Sequence, residues 1–385
     1  MSRHVPLAAA LCGGLALAAG MAAAAPLPHT LAWTAYDVGS SGYNQAVAIG
    51  AALKNKMNVT LRVLPGKNDV SRLIPLREDK VEFSAFGIGG YQALEGVFTF
   101  GHREWGPQAI RMLSMSNSDA CNTLMMAGDL GVKSYRDLKG KRMPVVKGAP
   151  ALNQNVYAYL RFADLDWDDV QIVEFGGYGA SLDAVVAGQV DGAITITTSG
   201  FAQKIVAGPR GHTYLPTPHN DEAAWKRMRE VAPWFFKSIC SEGAGLDKSK
   251  AFEAASYPYP ILIAYESRDA EMAYAMTKAM YDLYPEYRNA APGAAGWALD
   301  RQVMDWVIPF HEGAIRYYKE VGKWTPAEQK HQEGLLARDG VLQAAWKHYA
   351  DGASSDDKAF EKGWMKARAD ALQKAGMNPI WSEWE

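Results

Sequence analysis

The chain has 385 residues, of which 48% are hydrophobic and 21% are charged, and its formal net charge is −2. A single hydrophobic core stops growing at roughly 250 to 300 residues, so this length predicts two lobes or domains. The near-neutral charge offers no field suited to a polyanion, which excludes nucleic acid as a partner.

Residues 1–25 have the pattern of a secretory signal peptide. Arg3 and His4 precede an apolar run, and small residues end the segment at Ala24 and Ala25. The pattern predicts export to the periplasm with cleavage near Ala24 or Ala25. An uncleaved membrane anchor is the alternative, but the apolar stretch is short for a membrane span.

From residue 26 onward, short apolar runs alternate with helical patterns, which indicates an α/β fold. The runs LAWTAYD, VTLRVLP and EFSAFGI alternate with two helical stretches and predict the start of a doubly wound lobe over 26–125. A second lobe over 126–256 contains a capping box at Ser134 and Asp137, followed by the strands RMPVV, VQIVEF and GAITI.

The run YPILIAY predicts a strand that returns to the first lobe, and a mainly helical remainder completes a third segment over 257–385. A chain that leaves one lobe, builds a second and returns has two connecting segments, which permits hinge closure around a ligand. In open α/β sheets the loops after the strands meet at a crevice where ligands bind.

Five segments, taken in order, carry a family resemblance. They are SSGYNQAVAIGAAL, SYRDLKGKR, LDAVVAGQVDGAI, YPILIAYESRDAEMAYAMTKAM and VIPFHEGAIRYYKEVGKW. Together they resemble the TAXI-type substrate-binding proteins of tripartite (TRAP) secondary transporters. The resemblance implies a two-lobed, type II-like periplasmic-binding-protein fold, a small carboxylate or amino acid as ligand, and sodium-coupled TRAP-type membrane permease subunits as partners. The chain departs from the family pattern in the loops 67–71 and 147–153, so the relatives' substrates do not transfer directly.

The turn after the first strand is one candidate ligand site. Ser40 and Ser41 lie between a strand and a helix, where free backbone N–H groups and the helix dipole favour an anion. An ordinary turn in which serine caps the helix is the alternative.

The loops after the second strand of the first lobe and the first strand of the second lobe form another candidate. Lys67 and Lys147 hold comparable positions beside glycines, so we expect them to face each other across the cleft. Asn68 and Asn153 offer uncharged hydrogen-bonding groups, with Asn155 nearby. Two solvated surface lysines are the alternative.

Hydroxyls and aromatic rings complete the predicted pocket. Thr197 and Thr198 follow a buried strand and should line the cleft. Four tyrosines are candidate walls, although core packing is the alternative for each: Tyr36, Tyr43, Tyr91 and Tyr178.

Two cysteines follow the signal segment, Cys121 and Cys240, and a disulfide between them could persist in an oxidising compartment. Two independent buried thiols are an equal alternative. Asp37 or Asp69 could hold a cation, but isolated carboxylates are weak evidence for one.

His311 begins a helix without a nucleophile or carboxylate constellation nearby, and the sequence has no zinc, P-loop or nucleophile-elbow motif. We therefore expect a non-catalytic, monomeric, exported solute-binding protein without a cofactor, which captures a small anionic solute. A sensory binding protein that signals to a membrane kinase, and an enzyme on the same fold, are the alternatives.

Overall fold

The computed structural model describes residue 1 and residues 27–381. The predicted signal peptide and its cleavage site lie outside the described residues, apart from residue 1. In the described part of the chain, no helix is both long enough and apolar enough to cross a membrane.

The first segment of the chain alternates strands and helices. Its elements are β1 (Thr30–Ala35), α1 (Ser41–Met57), β2 (Thr60–Pro65), α2 (Asp69–Arg77), β3 (Phe83–Phe86), α3 (Gly89–Glu95) and β4 (Ile110–Met115). The predicted strands LAWTAYD, VTLRVLP and EFSAFGI become β1, β2 and β3. Side chains of Ser40 and Asn68 cap α1 and α2, because each accepts a hydrogen bond from a free backbone N–H of the first helical turn.

The second segment also alternates strands with helices. Its elements are β5 (Asn122–Ala127), β6 (Arg142–Val146), α4 (Pro150–Phe162), β7 (Gln171–Phe175), α5 (Tyr178–Val186), β8 (Gly192–Ile196), α6 (Gly200–Ala207), β9 (His212–Tyr214), α7 (Glu222–Val231), β10 (Phe236–Cys240) and β11 (Phe252–Ser256). The capping box at Ser134 and Asp137 is present, at the start of a short 3₁₀ turn.

The third segment begins with a strand and continues as helices. Its elements are β12 (Ile261–Tyr265), α8 (Ala270–Asp282), α9 (Tyr284–Tyr287), α10 (Glu312–Glu320), α11 (Pro326–Ala350) and α12 (Asp357–Lys374). The predicted helical remainder after Pro309 therefore consists of α10, α11 and α12.

Strands of the first and third segments share one sheet. Its order is β2-β1-β3-β12-β4, in which β1 pairs parallel with β2 and β3, and β12 pairs antiparallel with β3 and β4. The strand predicted from YPILIAY therefore lies inside the first lobe. Strands cover both of its edges, and its residues from Ile261 to Ala264 are buried.

Strands of the second segment form the other lobe. Among the described residues they give the order β8-β5-β9, a parallel pair β6-β7 and a hairpin β10-β11. Strand β6 is joined to β8 because the Arg142 backbone N–H donates to Asp191 Oδ2 at 2.8 Å. The chain is thus a two-lobed α/β protein with a helical C-terminal region, as predicted.

The chain passes between the lobes at 116–121 and again at 257–260. The first passage precedes the predicted boundary at residue 125, because β5 already pairs antiparallel with β8 from Asn122 onward. An all-buried run such as NTLMMA gives no alternation in the sequence that would assign it to one sheet or the other.

The C-terminal helices are clamped to the first lobe by a buried ion network. Glu95, at the end of α3, is fully buried and binds Arg338 of α11 at 2.5 Å and Arg368 of α12. Burial opposes ionisation of Glu95, but the two guanidinium groups outweigh it and lower the pKa of its carboxyl. The network fixes the C-terminal region to the lobe that it covers.

Candidate ligand site between the lobes

A cavity lies between the two lobes, where small-molecule sites often form, and its atom-free space of about 520 Å³ includes open solvent. From the first lobe it is lined by Tyr36, Lys67, Asn68, Asp69, Arg72, Gly87 and Ile88. From the second lobe it is lined by Asn122, Ala149, Ala151, Leu152, Asn155, Tyr178, Ile194, Thr195 and Ile196. Tyr257 and Tyr259, in the second passage between the lobes, complete the wall.

Arg72 is the buried cation of the cavity, with 4% of its surface exposed. Its guanidinium carbon lies 4.1 Å from the centroid of the Tyr36 ring and 4.9 Å from that of Phe86, so cation–π contacts hold it in place. One terminal nitrogen pairs with Asp69, three residues earlier on the same face of α2. Burial raises the pKa of Asp69, and the charge of Arg72 offsets that effect only in part.

Three buried polar atoms of the cavity lining have no hydrogen-bond partner among the described protein groups: Tyr36 Oη, Arg72 Nε and Asn122 Nδ2. The Tyr36 hydroxyl lies beside Tyr259 without a hydrogen bond of good geometry. Burial raises the pKa of Tyr36 well above its ordinary value, so its hydroxyl keeps its proton. All three groups are therefore donors, and an occupant with acceptor oxygens would satisfy them.

Other polar groups of the lining are already paired. The Asn155 side-chain amide donates to the Tyr257 hydroxyl at 2.7 Å, and the Tyr178 hydroxyl lies 2.9 Å from Thr195 Oγ1. These contacts fix the positions of the aromatic walls. Because these polar groups already have hydrogen-bond partners, they shape the cavity but do not require a ligand to satisfy them.

A glycine makes room for the Tyr36 side chain. A Cβ atom at Gly87 would lie 2.7 Å from the Tyr36 hydroxyl, closer than real Cβ contacts allow. The turn that follows β3 approaches Tyr36 closely, and this approach therefore requires glycine at position 87.

Three of the predicted ligand residues line the cavity: Tyr36, Lys67 and Asn68. Lys67 is exposed, and its backbone carbonyl accepts from the Tyr178 N–H at 3.2 Å across the cleft. The Asn68 side chain caps α2 and also donates to the Lys147 carbonyl at 3.2 Å. Asn155 and Tyr178, which the sequence also suggested, line the cavity as well.

The predicted serine turn does not line the cavity. Ser40 accepts from the Tyr43 N–H at 3.3 Å as the cap of α1, which is the alternative that the sequence left open. The Ser41 hydroxyl accepts from Gln45 and from Thr198, each at 3.0 Å. Because these hydroxyls are already paired, they are not free to bind an anion, and Ser41 and Thr198 instead join the two lobes. Tyr43 packs partly buried against the core.

Lys147, Asn153 and Thr197 are not among the residues that line the cavity. The Lys147 amine is exposed and pairs with Glu174 at 2.9 Å. Asn153 hydrogen-bonds to both backbone groups of Val146. Thr197 Oγ1 accepts from the Cys121 N–H at 3.1 Å and donates to a backbone carbonyl, so it is structural.

Tyr91 and His311 have structural surroundings. Tyr91 packs against Trp234 and Trp381 in the core. His311 caps α10, where its Nδ1 accepts from the Gly313 N–H at 3.2 Å, and burial lowers its pKa.

The two cysteines are both buried and lie in one apolar cluster with Ala254. They are free thiols in the structure, and burial raises the pKa of Cys121. A disulfide between them stays a prediction.

Several residues that line the cavity were not predicted from the sequence to contact a ligand. They are Arg72, Asn122, Tyr257 and Tyr259. The only sequence signal for Arg72 is its spacing from Asp69, because two residues three apart in a helix can form an ion pair. The same spacing is common on solvated helix faces, so it does not identify a buried pair.

A family profile described as the NMT1-like family matches residues 35–322. No curated protein matches the sequence. Solved structures with a similar fold include the alkanesulfonate-binding protein SsuA from Xanthomonas axonopodis pv. citri bound to MOPS, at 15% identity and a TM-score of 0.42, covering 81% of this chain and 85% of that one.

Two other solved structures have comparable identities and TM-scores. The aliphatic sulphonate binding protein SsuA from Escherichia coli has 16% identity and a TM-score of 0.41, covering 79% of this chain and 84% of that one. An ABC transporter periplasmic binding protein from Brucella ovis with glutathione bound has 13% identity and a TM-score of 0.42, covering 92% and 82%. TM-scores this low carry no conclusion about the ligand of this chain.

Proposed function

The chain belongs to the NMT1-like family, and from its two-lobed fold and the cavity between the lobes we propose that it is an extracytoplasmic solute-binding protein. It captures a small anionic organic solute, a carboxylate or an amino acid, and releases it unchanged. Delivery to a TRAP-type membrane permease is part of the proposal and rests on the sequence resemblance to TAXI-type proteins.

The observation that carries the proposal is the set of unpaired donors in the cavity. Tyr36 and Arg72 come from the first lobe and Asn122 from the second, so one ligand would bridge both lobes. A buried donor without a partner costs about 1 to 3 kcal/mol, and acceptor oxygens of a ligand would recover that free energy. Lys67, at the edge of the cavity, adds a second positive charge for an anion.

Binding is tested by a thermal-shift screen of small organic acids and amino acids on the purified protein, followed by calorimetry on each compound that raises Tm. A ligand at 100 times its Kd stabilises the folded state by about 2.7 kcal/mol. We expect stoichiometric binding of an acid and its recovery unchanged. Protein-dependent conversion of the ligand to a product would contradict the proposal.

The charge of the ligand is tested by Asn122→Asp, which keeps the side-chain shape but replaces the amide donor by acceptor oxygens. At pH 7.5 we expect the variant to bind an acidic ligand at least about tenfold more weakly, because a charge-assisted hydrogen bond becomes a repulsion. Exposed Asp168→Asn is the control and should bind as the wild type does. Unchanged or tighter binding by Asn122→Asp would exclude an anionic group at this position.

A further inference from the structure

Two helices of the second lobe begin at the cleft without a side-chain cap of their own. The residues at their N-cap positions are Ala149 for α4 and Gly177 for α5, and neither provides a side-chain hydrogen bond. By contrast, α6 and α7 of the same lobe are capped by Ser199 and Asp221. The first N–H groups of a helix have no partner within the helix, so α4 and α5 need acceptors from elsewhere.

The first lobe supplies these acceptors as carboxylates. Asp69 Oδ2 accepts from the Ala151 N–H, in the first turn of α4, at 3.0 Å. Asp37 Oδ2 accepts from the Gly179 N–H, in the first turn of α5, at 3.3 Å. The approach to α5 depends on glycine, because a Cβ atom at Gly179 would lie 3.0 Å from Asp37 Oδ2.

Both contacts join a carboxylate of one lobe to the positive end of a helix in the other, and so they exist only while the cleft is closed. Within its own lobe, Asp69 binds Arg72, which orients the carboxylate toward α4. Asp37 follows β1 and precedes the capped turn of α1. Neither carboxylate is needed as the cap of its own helix, since Asn68 and Ser40 perform that role.

We propose that Asp69 and Asp37 are positioning residues, which cap α4 and α5 respectively from the opposite lobe and thereby hold the cleft closed. This inference rests on the proposed binding function and adds how the lobes meet around the ligand. It replaces the possibility that either carboxylate binds a cation, because each already has N–H partners, and Asp69 also has Arg72.

The test measures closure of the ligand-free protein by small-angle X-ray scattering and stability by thermal unfolding. Loss of one helix cap shifts an equilibrium by about fivefold, so Asp37→Ala should move the closed-to-open ratio about fivefold toward open. Asp221→Ala is the matched control, because Asp221 caps α7 within one lobe and accepts from the Ala224 N–H at 3.0 Å. It should lower Tm without changing the scattering.

Asp69→Ala leaves Arg72 buried without its partner and could fail to fold, so the double variant Asp69→Ala/Arg72→Met is tested beside it. Both should open the ligand-free protein at least as much as Asp37→Ala does. The inference would be overturned if Asp37→Ala and the double variant both scatter as the wild type does. It would also be overturned if the ligand-free wild type is already open. Because no ligand is added, these outcomes are independent of whether the proposed solute binds.

Discussion

Arg72 in the cleft and Arg368 under the C-terminal helices are both buried arginines paired with a buried carboxylate, but their hydrogen bonds differ. Arg368 donates to both a side-chain oxygen and the backbone carbonyl of Glu95, and to the carbonyls of Pro379 and Trp381. The Arg72 side chain pairs with Asp69 and makes one long hydrogen bond of 3.4 Å to the Gly66 carbonyl, and its Nε has no partner among the protein's groups. A satisfied buried charge is typical of a structural clamp, and an unsatisfied one indicates a place for a ligand.

The carboxylates show the same contrast. Glu95 binds two guanidinium groups, and its pKa is lowered despite burial, whereas Asp69 binds one and its pKa is raised by burial. The second guanidinium partner therefore decides whether the pKa of the buried carboxyl is lowered or raised. The C-terminal clamp is electrostatically complete, while the cleft holds donors in excess of its acceptors.

The largest expected effect is on the C-terminal clamp, the buried network of Glu95 with Arg338 and Arg368. Glu95→Gln leaves two buried arginines without their counter-charge, so we expect the free energy of unfolding in urea to fall by about 3 to 5 kcal/mol. Glu271→Gln is the control, because its pair with Arg316 is about half exposed and should contribute little. Equal stability of the two variants would contradict the distinction between clamp and surface pair.

The same clamp predicts a pH dependence. Because the pKa of Glu95 is lower in the folded than in the unfolded state, its contribution is fully present above about pH 4.3 and is lost as pH falls through the folded-state pKa. Wild type should therefore lose more stability than Glu95→Gln between pH 5 and pH 3, as urea titrations at each pH would measure. Parallel losses would show that Glu95 does not carry this dependence.

The next effect is on the cleft. Arg72→Met removes a charged donor from the cavity, and such a hydrogen bond is worth about 1.5 to 3 kcal/mol, so the Kd for an acidic ligand should rise about tenfold to 150-fold. Arg316→Met is the control, because Arg316 also lies over a tyrosine ring, 3.9 Å from the Tyr274 centroid, but far from the cleft. Arg72→Lys keeps the charge if the methionine variant does not fold. Calorimetry that shows unchanged affinity in both Arg72 variants would remove Arg72 from the ligand site.

A smaller effect is expected from crowding Tyr36. In Gly87→Ala the new Cβ forces the Tyr36 hydroxyl to move. Loss of its hydrogen bond to the ligand, worth about 1 kcal/mol, corresponds to roughly a fivefold rise in Kd. Gly340→Ala is a matched control, since a Cβ there meets no atom within 4 Å. Equal Kd values for the two alanine variants would show that Tyr36 does not contact the ligand.

The smallest effect separates the two lysines. Lys67 lines the cavity but is exposed, so Lys67→Met should weaken binding by no more than about fivefold. Lys147→Met should leave Kd unchanged, because Lys147 pairs with Glu174 outside the cavity. A larger loss from Lys147→Met than from Lys67→Met would mean that the cleft closes differently around the ligand.

The alternation of apolar runs and helical patterns determined the α/β class, and YPILIAY identified the strand that returns to the first lobe. These predictions succeeded because strand and helix periodicities are local properties of the chain. The capping box at Ser134 was readable for the same reason, since a cap depends on residues three apart. Lys67, Asn68 and Tyr36 line the cavity because loops after strands meet at the cleft.

Only the tertiary structure decided which of those polar residues remain free. Ser41 and Thr198 are suitable ligand residues in isolation, but lobe closure pairs them with each other. Arg72 looks like a solvated helix residue in the sequence, and it is a candidate binding group only because the fold places it against Tyr36 and Phe86 in the wall of the cavity. Hydrogen-bond satisfaction and burial depend on contacts between residues far apart in the chain, and neither periodicity nor spacing encodes those contacts.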